Sequence, residues 1–127
     1  MRAATRGLSS LAGEGVAYSF FKRLPKAELH LHLDGSVKAV TLLELYKEQN
    51  IPLPYSTTTK FPTVEEFTPL IVPSLSTTSL KDFLRAFEYT LPPLQTLPAL
   101  KRSVWEIARD CIPGKIKSFF FKINTEI

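Results

Sequence analysis

The sequence predicts an α/β chain in which one early strand precedes several amphipathic helices. Polar and apolar residues alternate from Ala27 to Asp34, which is the two-residue period of a β-strand. Further along, apolar residues recur every three or four positions, as expected for helices that bury one face. The most regular of these stripes comprises Leu80, Phe83, Leu84, Phe87 and Leu91.

Residues 1–17 are predicted to be a disordered leader. They carry Arg2 and Arg6 but only one acid, Glu14, and this composition is also that of some organelle transit segments. Glycines, the last of them Gly15, interrupt any amphipathic helix in this stretch. An unstructured terminus is therefore the simpler interpretation.

Helix-start signals divide the rest of the chain. Capping-box spacing places starts at Thr41 and Thr63, and Ser79 suits a third start. We predict helices over 41–49, 65–72, 80–91 and 97–110, with Trp105 packed along the last one. Residues 18–111 then form the folded unit. Residues 112–127, which contain the Pro113-Gly114 break, are predicted to be a divergent tail that either forms a short strand or is an unplanned end.

Composition and charge exclude several classes of protein. Apolar residues are 44% and charged residues 22%, which is typical of globular chains. The net charge of +4 comes without a dense block of Lys and Arg, so we expect no nucleic-acid partner. No run approaches the ~18 apolar residues of a membrane span. The single cysteine, Cys111, cannot form an internal disulfide, so we expect a reducing compartment, the cytoplasm.

The pair His30-x-His32 is the one constellation that carries chemistry. On a strand, both imidazoles project to the same side, about 6–7 Å apart at the backbone. Neutral imidazole is a good zinc ligand, so the pair could supply two ligands to one ion. Asp34 extends the same row and could accept a hydrogen bond from a substrate hydroxyl. The simpler interpretation of H-x-H is polarity on a half-exposed strand. Against it, these are the only two histidines, and they lie among leucines that we expect to be buried.

The segment LPKAELHLHLDGS, residues 24–36, strongly resembles the first barrel strand of the adenosine deaminases. The resemblance continues through residues 41–45 and 51–54, resumes over 80–89 and fades near Asp110. It implies an α/β fold that is the amino-terminal portion of an incomplete TIM (β/α)8 barrel, with the first strand plus several helices. A complete barrel needs roughly 200 residues or more, which exceeds the 127 present.

The resemblance also implies an activity and a set of roles. In that family the two histidines bind a catalytic zinc that activates a water; the water attacks the purine carbon bearing the amino group, and ammonia leaves. The implied reaction is hydrolytic deamination of adenosine and 2′-deoxyadenosine to inosine products, in purine salvage. His30 and His32 become metal ligands. The resemblance implies that the substrate is contacted by His32, Asp34, Leu80, Phe83, Leu84 and Phe87. Asp34 would contact the ribose 5′-hydroxyl, and the four apolar residues would form the wall and lid of the nucleoside pocket.

The apolar stripe would be ordinary core packing without the resemblance. Asp34 adds a preference among substrates, because a carboxylate beside a phosphate is repulsive. We therefore expect a neutral nucleoside rather than a nucleotide.

A catalytic zinc site needs about three protein ligands and an open position for water. The resemblance places a third histidine, an aspartate and the proton-transfer residues on later strands, so no catalytic residue is assigned within this chain. We expect one zinc per complete site and little or no activity from these 127 residues alone. The oligomeric state stays open.

Two alternatives remain. One is a different metal-dependent amidohydrolase, since H-x-H after a first strand recurs in such barrels. The other is a non-catalytic short form that acts as a binding or assembly module through exposed apolar helices.

Overall fold

A computed structural model describes residues 14–74, 76–77 and 79–122 of the chain, with side chains described from Tyr18 onward. Within these ranges, four α-helices lie between the two strands, and a 3₁₀ turn follows the fourth helix of the chain. The elements are α1 (Glu14–Arg23), β1 (Lys26–His32), α2 (Ala39–Glu48), α3 (Val64–Ile71), α4 (Leu80–Thr90), the 3₁₀ turn Pro92–Leu94, α5 (Leu97–Cys111) and β2 (Ile116–Lys122).

The sheet consists of β1 and β2, which pair in parallel. Parallel neighbours need a long crossover, and α2 to α5 supply it here. The mixed α/β class predicted from the sequence is confirmed, as a two-stranded sheet with helices. The tail's alternative of a short strand is also confirmed, because residues 116–122 lie directly beside the histidine strand.

The pairing register slips between Glu28 and Leu31, where β1 has one more residue than β2. Such a bulge disturbs the strict alternation of side chains. Leu33 is 1% exposed and Leu31 packs against the core, as predicted. Leu29 is 75% exposed, so its predicted burial was wrong. The cause is the bulge, which takes Leu29 out of the alternating pattern.

The hydrophobic core lies between the helices and one face of the sheet. Residues from α2, α3, α5 and the 3₁₀ turn fill it, and Phe119 and Phe121 of β2 pack against it. Its largest fully buried side chains include Tyr46 and Phe67, whose rings meet edge to face. The Tyr46 hydroxyl donates a hydrogen bond to the Tyr89 carbonyl at 2.8 Å, and burial raises the pKa of Tyr46.

The predicted helix starts differ in their outcomes. Thr63 and Glu66 form the expected capping box at α3. Ser79 precedes α4 but makes no side-chain cap. Thr41 was wrong as a cap, because α2 begins at Ala39 after Lys38. The Thr41 hydroxyl is buried and donates instead to Glu106 Oε2 at 2.5 Å.

Helix α5 buries one face and leaves Trp105 outside the core. Leu97 is 60% exposed and Trp105 is 68% exposed, so the predicted packing of Trp105 was wrong. The buried face instead holds Ala99, Leu100, Ser103, Ile107 and Cys111. With 3.6 residues per turn, position 105 falls on the opposite side of the helix from this face, which leaves the indole outside.

Charged groups tie α2 to α5 at the protein surface. The Arg102 guanidinium donates to Glu44, to Glu48 Oε1 at 3.1 Å and to Glu106 Oε1 at 2.9 Å. Burial alone would raise the pKa of Glu106. Hydrogen bonds from Thr41 and Arg102 outweigh burial and hold the pKa of that carboxyl below its usual range.

The end of the predicted leader, residues 14–17, forms the first turns of α1. Gly15 stands in the first turn, where glycine interrupts few helical hydrogen bonds. Residues 1–13, which carried the transit-segment alternative, lie outside the described residues. Within the described ranges, the longest apolar helices fall short of what a bilayer crossing requires.

Candidate functional site

The two histidines converge on one point in front of the sheet. His30 Nε2 and His32 Nε2 lie 3.0 Å apart, and the rings stack with their centroids 5.0 Å apart. The two rings lie on one side of β1, as predicted, while Leu33 is buried and Leu31 packs against the core. His30 is exposed and the His32 side chain is 40% exposed, so solvent reaches both rings.

The distance between the two Nε2 atoms suits two of the four coordination positions around a single zinc ion. Zinc–imidazole bonds are about 2.0–2.1 Å long, so two tetrahedral ligand atoms lie roughly 3.3 Å apart. The observed 3.0 Å differs from that separation by an amount that a small ring rotation would cover. Across residues 14–74, 76–77 and 79–122, however, no group of three or more His, Cys, Asp or Glu is arranged to hold a metal. The described residues thus bring two imidazoles together without a third candidate ligand beside them.

The turn after β1 brings Asp34 beside the second imidazole. The Asp34 carboxylate is 3% exposed, and its Oδ1 lies 4.0 Å from His32 Nδ1. The turn is held by the Ser36 hydroxyl, which donates to the His32 carbonyl at 2.6 Å. Leu33 N also donates to the Lys122 carbonyl at 2.9 Å, which extends the sheet pairing past His32. Both hydrogen bonds fix the carboxylate relative to the imidazole.

A groove of about 630 Å³ opens between this turn and α4. Phe83 and Phe87 form an edge-to-face pair on its helical side, with ring centroids 6.2 Å apart. The groove combines an apolar wall with a buried carboxylate and an imidazole at one end, the usual make-up of a small-molecule site. Its lining residues are His32, Asp34, Gly35, Ser36, Phe83, Leu84, Phe87 and Leu91.

The structure therefore brings together five of the six side chains predicted to contact substrate. Leu80 is the exception: it is 71% exposed and lies in a separate depression with Tyr55, Arg85 and Glu88. One helical turn separates Leu80 from Leu84, and the groove ends at the latter. Leu80 is consequently outside the groove.

Sequence reasoning did not assign three of the lining residues, Gly35, Ser36 and Leu91. Leu91 completes the helical stripe at i+11, so the periodicity could have found it. Gly35 and Ser36 follow the strand directly, and residues at the carboxyl end of a parallel strand commonly face a ligand. A smaller cavity of about 270 Å³ adjoins the groove through Asp34, and Thr90 lines its far side.

Comparison with known proteins supplies the family. The sequence model described as "Adenosine deaminase" matches residues 25–118. A protein of Dictyostelium discoideum named "Probable adenosine deaminase" is 41% identical over 97 residues, which are 76% of this chain and 12% of that protein. An "Adenosine deaminase" of Enterococcus faecalis is 37% identical over 86 residues, covering 68% of this chain and 23% of that enzyme. A third, from Shewanella woodyi, is 28% identical over 84% of this chain and 30% of its own length.

The chain belongs to the adenosine deaminase family, a family of enzymes. The predicted resemblance is thereby confirmed. The match runs to Ser118, past the position where the resemblance was expected to fade, and includes the first residues of β2. The chain spans between 12% and 30% of the length of these relatives.

Proposed function

We propose that this chain forms the amino-terminal part of a zinc-dependent adenosine deaminase. The observation that carries the proposal is the meeting of His32 and Asp34 with Phe83, Leu84 and Phe87 around one groove. The proposed reaction, which family membership supports, is hydrolytic deamination of adenosine and 2′-deoxyadenosine to their inosine products. The complete fold would be a TIM-type barrel in which β1 and β2 are the first two strands.

His30 and His32 would hold the metal through their Nε2 atoms. A zinc ion in such a site supplies an activated water for hydrolysis. The chain's other residues bind and orient the substrate. The Asp34 carboxylate accepts a hydrogen bond from a sugar hydroxyl, and the faces of Phe83 and Phe87 exclude water from the purine.

The buried Asp34 carboxylate also favours a substrate without negative charge. A phosphate placed against the Asp34 carboxylate would meet a like charge in a poorly solvated position. We therefore propose adenosine over AMP. An Asp34→Asn variant should weaken adenosine binding and reduce the discrimination against AMP.

A graft into a complete relative tests the assignment. Residues 25–111 of this chain would replace the matching segment of the Enterococcus faecalis enzyme, and inosine formation and zinc content would be measured. The graft should retain zinc and activity, while His30→Gln and His32→Gln versions should lose both. Trp105→Ala, at an exposed position, serves as the control. A folded graft whose histidine variants keep their zinc and activity would refute the assignment.

The isolated chain is proposed to be inactive, because its described residues supply only two metal ligands. This favours, for the 127 residues alone, the second candidate function of a binding or assembly module. Incubating the purified chain with zinc and adenosine checks the point, and sustained inosine production would contradict it. We also propose a cytoplasmic location, which the buried free thiol of Cys111 is consistent with and which cell fractionation tests.

A further inference from the structure

We propose that the smaller cavity beside Asp34 is a second subsite of the groove, and that it takes a short, uncharged N-alkyl amide at the 5′ carbon of an adenosine-type nucleoside. The inference rests on the proposed function, which places the sugar end of a nucleoside at Asp34. It goes further by naming Thr90 as a specificity-determining residue and by giving the class of 5′ group that the subsite accepts.

The cavity and the groove share part of their walls. Asp34, Gly35, Phe83 and Phe87 line both of them, whereas Thr90 lines the cavity alone. The cavity measures about 270 Å³, which is roughly nine times the volume of one water molecule in the liquid. A group attached to a sugar carbon that is held at Asp34 therefore has room to extend into the cavity.

Most of the cavity wall is apolar. Apart from Thr90 and the four shared residues, the lining consists of Val37, Ile71, Val72, Pro73 and Ala86. Val37 and Ala86 are each 8% exposed, so this part of the wall is well removed from solvent. Such a wall favours a short alkyl group, because burying apolar surface is favourable and burying an unpaired polar group is not.

A buried hydroxyl interrupts this apolar wall. Thr90 is 5% exposed, and its Oγ1 has no hydrogen-bond partner among the described residues. A helical threonine can donate to the carbonyl four residues earlier, as Thr68 does to Val64 at 2.7 Å, but Thr90 does not. Its hydroxyl can therefore donate to an acceptor on a bound molecule. An unpaired buried hydroxyl is costly, and a ligand that supplies the acceptor removes that cost.

The Asp34 carboxylate restricts the charge of the group that enters the cavity. Its side chain is 3% exposed, so an anionic group would be repelled in a poorly solvated position. The N–H of a secondary amide is instead a donor for this carboxylate and takes the place of the 5′-hydroxyl. The amide carbonyl is an acceptor for the Thr90 hydroxyl, and a short N-alkyl group matches the apolar wall. A 5′-N-alkylcarboxamide thus carries one group for each feature of the cavity.

The probe is 5′-N-ethylcarboxamidoadenosine, and adenosine and adenosine-5′-carboxylic acid are its matched comparisons. Their dissociation constants for the purified 127-residue chain would be measured by NMR titration. The ethylamide should bind about tenfold more tightly than adenosine, because it buries an alkyl group and adds a hydrogen bond. The carboxylic acid should bind about tenfold more weakly than the ethylamide, or weaker still, because its charge faces Asp34.

Substitutions test the two contacts separately. Thr90→Val keeps the side chain's shape and should weaken ethylamide binding by about 3- to 10-fold while leaving the adenosine affinity unchanged. Thr57→Val makes the same exchange at an exposed residue that lines neither the groove nor the cavity, so it should change neither affinity. Ala86→Leu fills the cavity from α4 and should block the ethylamide but spare adenosine, because Ala86 does not line the groove.

The outcomes separate this subsite from the proposed function. The subsite is overturned if the ethylamide binds no more tightly than adenosine, or if Thr90→Val does not weaken the ethylamide selectively. An adenosine affinity that Asp34→Asn lowers would then leave the proposed function intact. Ethylamide binding that Ala86→Leu leaves unchanged would place the amide elsewhere and would also overturn the subsite. A folded chain that does not bind adenosine at all would contradict both proposals.

Discussion

Helices α2 and α4 carry similar apolar stripes but use them differently. The stripe of α2, formed by Leu42, Leu43, Leu45 and Tyr46, is at most 3% exposed. In α4, Leu80, Phe83 and Leu84 are between 46% and 71% exposed. Charged groups differ as well, since Arg102 of α5 pairs with Glu44 and Glu48 of α2. The difference shows that periodicity identifies an apolar face but not what covers it.

We infer that α2 stabilises the fold and that α4 is available for binding. Burial of apolar area stabilises the native state, whereas a half-exposed phenylalanine contributes much less. Phe83, Leu84 and Phe87 of α4 instead form the apolar wall of the groove. Substitutions on the two helices should therefore separate stability from binding.

The largest expected effect is on the α2 side. Leu42→Ala should lower the free energy of unfolding by about 2–5 kcal/mol, because Leu42 is fully buried and truncation leaves a cavity. Leu84→Ala, at the half-exposed position on α4, should cost less than about 1 kcal/mol. Urea unfolding of the two variants compares the costs. Equal losses would show that both helices contribute to one core.

The buried hydroxyls of Thr41 on α2 and Thr90 on α4 allow the two helices to be compared one hydrogen bond at a time. Thr41 is buried and donates to the Glu106 carboxylate, so Thr41→Val should cost about 1.5–3 kcal/mol. Thr90, at the end of α4, is 5% exposed, and its Oγ1 has no hydrogen-bond partner among the described residues. Thr90→Val should be neutral or stabilising. Thermal unfolding measures both, and a destabilised Thr90→Val would imply an interaction at that hydroxyl.

Acid should lower the free energy of unfolding by protonating Glu106, whose carboxylate accepts a hydrogen bond from Thr41 of α2. The pKa of Glu106 in the folded chain lies below its ordinary value of 4.5, so the unfolded chain binds more protons as the pH falls. The stabilisation from this carboxylate is complete above about pH 4.5 and is lost as the pH drops through the lower, folded-state pKa. Unfolding free energies between pH 7 and pH 3 should fall less steeply for Glu106→Gln than for the wild type. Parallel curves would argue against the shift.

The smallest effect is expected at Trp105. Its side chain is 68% exposed, so Trp105→Ala should change the unfolding free energy by no more than about 0.5 kcal/mol. The loss of indole fluorescence gives a spectroscopic check of the substitution, and circular dichroism follows unfolding. A loss of several kcal/mol would mean that the indole packs against the chain after all.

Much of the site could be predicted locally. Alternation along β1 placed both imidazoles on one face, and helical spacing placed Phe83, Leu84 and Phe87 on another. The errors came from tertiary effects. A bulge exposed Leu29, and the approach of α5 to α2 turned Thr41 from a predicted cap into a donor for Glu106. No local rule anticipates a partner 65 positions away.

The sequence alone determined the histidine pair, the capping box at Thr63 and the family, because each depends on residues close together in the chain. Only the tertiary structure decided which apolar stripe is buried and which lines a groove. It also decided that residues 116–122 lie parallel to β1. The physical reason is that burial and strand pairing depend on which distant segments meet, and a periodic pattern specifies one surface without specifying its partner.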